Sequence, residues 1–239
     1  MKMPIVLRGS DRLFVLTGAG ISAESGIPTF RGQDGLWQGH RIEDVATPQA
    51  FARDPELVWR FYSMRRANAA PCQPNPGHVA LARLEESLGE RMLLCTQNVD
   101  DLHEAAGSKR VFHMHGQLFQ SRCSNRMCES EPFPDTRTYE KRSDIPNCKE
   151  CGALLRPHIC WFNESPFHMN EVIPALDACT VLLAVGSSGV VQPAASFPLI
   201  ARQNGARTLY VGLESPANAF AFDEVILGPA GERLPVLLG

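Results

Sequence analysis

The run Thr17-Gly-Ala-Gly-Ile-Ser-Ala-Glu-Ser-Gly-Ile-Pro-Thr-Phe-Arg31 constrains this chain more than any other stretch. It follows Leu13-Phe14-Val15-Leu16, an apolar segment that reads as a buried strand. Glycines directly after such a strand let the backbone approach a pyrophosphate, whose charge the next helix N-terminus stabilises. Alone, Gly18-x-Gly20-x-x-Ala23 is a loose dinucleotide pattern that a bare tight turn also satisfies. The continuation narrows the choice. A helix of about two turns is predicted to stop at Ser25-Gly26, before a polar segment carrying Pro28, Phe30 and Arg31. A dehydrogenase would instead run a longer helix into a second strand.

Strands are predicted at Leu13–Thr17, Arg91–Thr96, Val111–Met114, Thr180–Val185 and Thr208–Val211. Helical segments at Gly77–Ser87, Asp100–Ala106, Glu171–Ala178 and Ser196–Asn204 alternate with them. That alternation predicts an α/β fold, a Rossmann-like doubly wound parallel sheet. Residues 40–75 read as helical and 119–158 as polar and irregular, so both look like insertions. The expected division is a discontinuous nucleotide-binding domain of 1–39, 76–118 and 159–239, with 40–75 and 119–158 forming a smaller helical plus zinc-ribbon-like domain. Little chain follows Leu234-Pro235, and no substantial terminal helix is expected there.

A net charge of −3 gives no electrostatic case for nucleic acid or an anionic membrane as partner. Val181–Ala201 lacks charge, but Gly186, Gly189, Pro193 and Pro198 interrupt it, so strand and loop are expected, not a membrane span. The first seven residues are too short for a secretory signal, and a cytoplasmic protein is expected.

Of eight cysteines, Cys72, Cys95, Cys160 and Cys179 stand singly and are expected to be small core residues. The other four are paired as Cys123-x4-Cys128 and Cys148-x2-Cys151, the spacing of one closed, structural zinc site. Few large apolar residues lie between Gln120 and Leu155, so metal coordination would have to stabilise that segment.

Thr96-Gln97-Asn98-Val99-Asp100-Asp101 follows a strand, which in a parallel sheet puts these groups at the ligand-binding carboxyl edge; helix capping would also account for Asn98 or Asp100. Val111-Phe112-His113-Met114-His115-Gly116 ends another strand, and either histidine could be a base. Gly186-Ser187-Ser188-Gly189 ends a third.

Together with Trp161-Phe162 and Pro193-Ala194-Ala195, these motifs closely resemble the sirtuins, NAD-dependent protein-lysine deacylases, over nearly the whole chain and in the family's order. The resemblance implies that NAD is consumed as a co-substrate. In the family, the acyl oxygen of a modified lysine attacks the nicotinamide ribose and nicotinamide leaves. A base then drives the ribose hydroxyl onto the acyl carbon, giving lysine and O-acyl-ADP-ribose. Carried over by position, His115 is the base, and Gln97, Asn98, Val99 and Asp100 line the nicotinamide pocket, with Asn98 and Asp100 also catalytic. The cofactor is held by Gly18, Ala19, Gly20, Ser22, Ala23, Glu24, Ser25, Ile27, Pro28, Thr29, Phe30, Arg31 and Trp37, with Phe30-Arg31 as a cover. Gly186, Ser187, Ser188, Gly212, Leu213, Glu214 and Ala230 complete that set. His113 is off the base position and is expected to be structural. The substrate is an acylated lysine in an extended segment, lying between Ile159, Trp161, Phe162 and Gly189, Val190.

Tyr62 and Arg65 are three apart in a helical stretch and share a face. As ordinary residues, Arg65 would be solvated beside Arg66 and Tyr62 half-buried. The resemblance instead matches them, with the small Ala46, to desuccinylase-type bacterial members, where a guanidinium and a phenol hold a distal carboxylate. Succinyl and malonyl groups are therefore expected substrates, with acetyl retained. The sequence departs from the family at Asn163, where glycine is usual, and at Gly212, where an asparagine commonly meets the adenosine ribose. Mono-ADP-ribosyl transfer or a non-catalytic NAD- and zinc-dependent binding role on the same fold is the alternative. A monomer is expected.

Overall fold

The computed structural model describes residues 5–29 and 39–239 together with the backbone of 36–37. Strand β1 (Leu13–Thr17) enters a 3₁₀ helix, Ala19–Ser25, and the ribbon β2 (Leu36–Trp37) and β3 (His40–Arg41) leads to α1 (Ile42–Val45), α2 (Pro48–Arg53) and α3 (Pro55–Ala69). The chain continues through α4 (Pro76–Leu88), β4 (Met92–Thr96), α5 (Leu102–Ala105) and β5 (Val111–His113). A second sheet comprises β6 (Gly116–Cys123), β7 (Phe133–Pro134) and β8 (Leu155–Ile159). Then come α6 (Met169–Ala178), β9 (Val181–Val185), α7 (Phe197–Gln203), β10 (Arg207–Gly212), β11 (Glu224–Leu227) and α8 (Ala230–Leu238).

The main sheet has the order β11-β10-β9-β1-β4-β5, and every pairing is parallel. Alternate side chains of β1 face opposite ways. Leu13 and Val15 pack with Leu81, Leu94, Leu234 and Leu237, whereas Phe14 and Leu16 pack with Val172, Leu176, Phe197 and Ala201. Helices α4 and α8 therefore cover one face and α6 and α7 the other, the doubly wound arrangement that the sequence predicts. Buried on both sides, β1 has no polar face to present.

Two features depart from expectation. Strand β11 extends the sheet where no strand was predicted; Glu224 and an exposed Leu227 break the apolar pattern because this is an edge strand. A terminal helix, α8, does form, with Pro235 inside it. Pro235 lacks one amide hydrogen, but buried Leu234 and Leu237 offset that loss. The Gly231 amide near its start donates to Glu24 Oε2 at 2.7 Å.

The smaller module packs α2 and α3 against β6 and β8 around Val58, Trp59, Phe61, Leu118 and Ile159. Strand β6 runs across position 118 and β8 ends at 159, the two places where the expected division falls. Arg66 is the internal strut. Fully buried, its guanidinium donates to the carbonyls of Leu118, Gln120 and Arg137 and lies 3.6 Å from Asp135. Leaving any of those partners unmatched would cost more than each bond contributes.

Candidate active site

A cavity of about 890 Å³ opens at the carboxyl edge of the parallel strands and continues into the smaller module. Its floor lies where the chain leaves β1 and β9 in opposite directions, the switch point at which open parallel sheets bind ligands. There two loops interlock. The Gly18 amide donates to the Val185 carbonyl and the Gly20 amide to the Gly186 carbonyl, each at 2.9 Å. A Cβ on Gly20 would sit 2.7 Å from Gly186 Cα, and one on Gly186 would collide with the Ile21 amide. Only glycine fits this crossing, and the bare backbone it leaves is what a diphosphate needs. The 3₁₀ helix ends as predicted, at Gly26 with φ 90°.

Ser22 is the hub beneath this loop. It is fully buried; its hydroxyl donates to Asp100 Oδ2 and accepts from Asn98 Nδ2, both at 3.1 Å. The Asn98 amide donates to Thr96 Oγ1 and the Leu102 amide to Asp100 Oδ1. Burial pushes the Asp100 carboxyl above its ordinary range, against the lowering effect of these hydrogen bonds. Gln97 Nε2 donates to Ser187 Oγ at 2.9 Å, joining the edges of β4 and β9.

His115 lines the same cavity. Its Nδ1 lies 3.1 Å from the Gln97 carbonyl, which only accepts, so Nδ1 carries the hydrogen and Nε2 is the basic atom. Burial lowers the imidazole's pKa, partly offset by that hydrogen bond, keeping the ring neutral and able to take a proton.

At the far end Tyr62 and Arg65 come off α3 into the cavity, with Ala46 beside them. The alternative of a solvated Arg65 does not hold: its guanidinium is desolvated and sits 5.7 Å from the Tyr62 ring. Tyr62 Oη accepts a hydrogen bond from Trp161 Nε1 at 3.0 Å. Burial pushes the Tyr62 phenol up to about 12, so it is a neutral donor at ordinary pH. Arg156 in turn lies over the Trp161 ring, 3.4 Å from its centroid, and pairs with Glu164.

Ala19, Ala23, Ile27, Pro28, Thr29, Val99, Ser188, Leu213 and Glu214 also reach the wall, as do Ile159, Trp161, Phe162 and Val190. Ser25, Glu24, Gly189, Gly212 and Ala230 do not. The Ser25 hydroxyl accepts from Asn75, Glu24 meets the Gly231 amide, and Ala230 is buried against α4. Phe30, Arg31 and the Trp37 side chain lie outside the described residues. Reasoning from sequence missed Asn68 and Ala69 on the wall, although Ala69 continues the face of Tyr62 and Arg65 at helical spacing.

Both departures have structural accounts. Asn163 adopts φ 70°, the left-handed conformation that asparagine tolerates better than most residues, so it supplies the turn that glycine would. At Gly212 the Tyr210 hydroxyl fills the space a side chain would take, so a phenol stands at this end of the wall.

The sulfurs of Cys123, Cys128, Cys148 and Cys151 all lie within 4.8 Å of one another. Bonds of about 2.3 Å in a tetrahedron put sulfurs ~3.8 Å apart, so the four fit one zinc ion with no open position. Of the single cysteines, Cys95 and Cys179 are buried as expected, but Cys72 and Cys160 are only half-buried and Cys160 lines the cavity. Among the described residues no helix is long and apolar enough to cross a membrane.

Residues 18–193 match the model of the Sir2 family. The chain is 49% identical over 232 residues to an NAD-dependent protein deacylase of Caulobacter vibrioides, covering 96% of each protein. A solved Sir2 homolog–NAD complex superposes with a TM-score of 0.84 at 43% identity, covering 96% of this chain and 89% of that one. A Sir2 complex with a deacetylated p53 peptide and 3′-O-acetyl ADP ribose matches at TM-score 0.82 and 32% identity, covering 95% and 92%.

Proposed function

The chain belongs to the Sir2 family, and from that premise we propose that this NAD-dependent protein deacylase favours succinyl and malonyl groups on lysine while retaining deacetylation. The observation that carries the preference is the buried Tyr62 with the half-buried Arg65 in the same cavity as the neutral His115. An acyl-lysine entering between Ile159–Phe162 and Gly189–Val190 would place its chain past Ala46 and its carboxylate at Arg65. Because Trp161 already donates to the Tyr62 oxygen, the phenol's own hydrogen is left to point elsewhere, toward an acceptor such as that carboxylate.

NAD, when bound, supplies the electrophilic ribose carbon and the nicotinamide leaving group. Gly18, Gly20 and Gly186, whose own amides are already bonded to the Val185, Gly186 and Val211 carbonyls, would let its diphosphate approach the loop closely because they carry no side chain, and Ser22 would fix Asn98 and Asp100 around the nicotinamide. His115 Nε2, the basic ring atom, is the group that would accept a proton from the ribose hydroxyls. Apolar walls from Ile27, Val99 and Ile159 limit stray water. A zinc ion held by the four cysteines would be structural, with no open position for a substrate. The mild negative charge supports protein rather than nucleic acid as partner, and we read the enzyme as a cytoplasmic monomer.

Matched acetyl- and succinyl-lysine peptides test the preference, with product mass analysis. Arg65→Met is expected to lower kcat/KM on succinyl peptide by about 10²-fold, the loss of a charge-assisted pair, and to spare acetyl peptide within about threefold. Equal loss on both peptides would defeat the carboxylate assignment. ADP-ribose retained on protein would favour the transferase alternative.

A further inference from the structure

A second histidine lies behind the pocket wall, unused by the reaction described above. His113, at the end of β5, is 3% exposed. Its Nδ1 is 3.0 Å from the Asn98 carbonyl oxygen and its Nε2 is 2.7 Å from Glu104 Oε1. A carbonyl and an ionised carboxylate only accept hydrogen bonds, so both ring nitrogens have to carry hydrogen. Neither neutral tautomer satisfies both contacts. We propose that His113 is a standing imidazolium, kept so by Glu104, and that it is a positioning residue for Asn98; the role rests on reading Asn98 and Asp100 as nicotinamide-pocket groups.

Asn98 is gripped at three points: its amide by Thr96 Oγ1, its side chain by Ser22 and its carbonyl by His113. Only the last depends on a titratable group. Burial alone disfavours the imidazolium, but the hydrogen bond and charge of Glu104, the Asn98 carbonyl and Asp100 outweigh it and raise the pKa above the ordinary histidine value. The other titratable groups around the ring are Asp100 after β4, His103 on α5 and His158 on β8. Burial, chiefly, holds both histidines below their ordinary value, and the His113 charge adds to that. A cation at His113 therefore faces neutral rings and carboxylates. When it loses a proton at high pH, one of its two partners faces a lone pair and the Asn98 carbonyl or Glu104 has to let go.

Nitrogen-15 NMR of histidine-labelled protein, with His113→Gln assigning the signal, reads the ring independently of turnover. Two protonated nitrogens are expected near neutral pH, titrating above about 6.5. Glu104→Ala is expected to bring that titration down and to lower kcat/KM for NAD about tenfold, holding KM for acyl-peptide within about twofold. The alkaline limb of kcat/KM for NAD should move down with it. Glu104→Gln, whose amide can donate to a neutral Nε2, should restore most of the efficiency and remove the limb. A single protonated ring nitrogen at neutral pH would overturn the proposal, as would a Glu104→Ala pH profile identical to wild type. Should Asn98→Ala spare nicotinamide release, the pocket reading fails; should it abolish release while Glu104→Ala spares it, the positioning role fails.

Discussion

The two ends of the cavity are built by different means. The end proposed for the nucleotide is made of backbone: Gly18, Gly20 and Gly186 cross so closely that even a methyl group has no room. The acyl end is made of long side chains, Tyr62, Arg65 and Trp161, oriented by hydrogen bonds, stacking and burial. Backbone recognition reads a feature shared by every NAD molecule and tolerates no variation. Side-chain recognition can be rewritten by one substitution without disturbing the fold. On the proposed reading, one surface fixes the co-substrate and the other leaves the acyl group open to change.

The sharpest way to break this contrast is at the crossing. Gly20→Ala is expected to cost about 1–3 kcal/mol of stability by overpacking and, by displacing the loop, about 10²-fold in NAD affinity. Calorimetric titration checks it, and normal NAD binding would sink the idea that backbone alone shapes this end. Larger still in energy is the zinc. Its removal withdraws on the order of 10 kcal/mol of coordination from the small module. The acyl end hangs on that module through Arg66, and through Trp59, which donates to the Leu155 carbonyl at 2.9 Å. Chelation should therefore shift tryptophan fluorescence and abolish acyl-peptide binding while NAD binding survives; simultaneous loss of both would show the ends are not separable.

A smaller effect is expected from Trp161→Phe, which keeps an apolar ring but withdraws the donor to Tyr62. Succinyl kcat/KM should fall about fivefold, one hydrogen bond's worth, with acetyl activity within about twofold. A uniform drop would make Trp161 a general peptide contact. The least effect is a slope in stability with pH. Burial lowers His78 and His158 to about 4 and holds His103 well below its usual value. Above about 6.5 these groups are neutral folded and unfolded alike. Below that, the unfolded chain takes up protons that the folded one refuses, so stability declines toward pH 4. Urea midpoints across this range should follow that decline, and His78→Gln should flatten it.

What the sequence revealed follows the same contrast. The glycine crossing, the polar strand ends and the cysteine spacing announce themselves because backbone geometry and metal chemistry demand particular residues at particular intervals. The doubly wound sheet follows from apolar runs alone. The bond between Trp161 and Tyr62 spans 99 positions and has no local signature. Arg66 reads as a surface charge beside Arg65, and only tertiary packing shows that it is buried among carbonyls. The pairing of Glu104 with His113, nine positions apart on a short helix and a strand, has no local signature either. Pro235 misleads because the loss of one helical bond is small beside the burial of Leu234 and Leu237.

The crossing of Gly20 with Gly186 also governs timing during synthesis. Among the described elements strand β1 comes before the rest, yet in the finished sheet it lies between β4 and β9. One edge of β1 meets β4 within the next ~80 residues, but its other edge and its glycine loop wait for about 160 before β9 and Gly186 exist, and such long-range parallel pairing is slow to form. A nascent chain stopped short of β9 carries an unsealed central strand and no nucleotide cradle at all. The ability to bind NAD therefore arrives late, and with it the stabilisation that a bound co-substrate gives the folded chain.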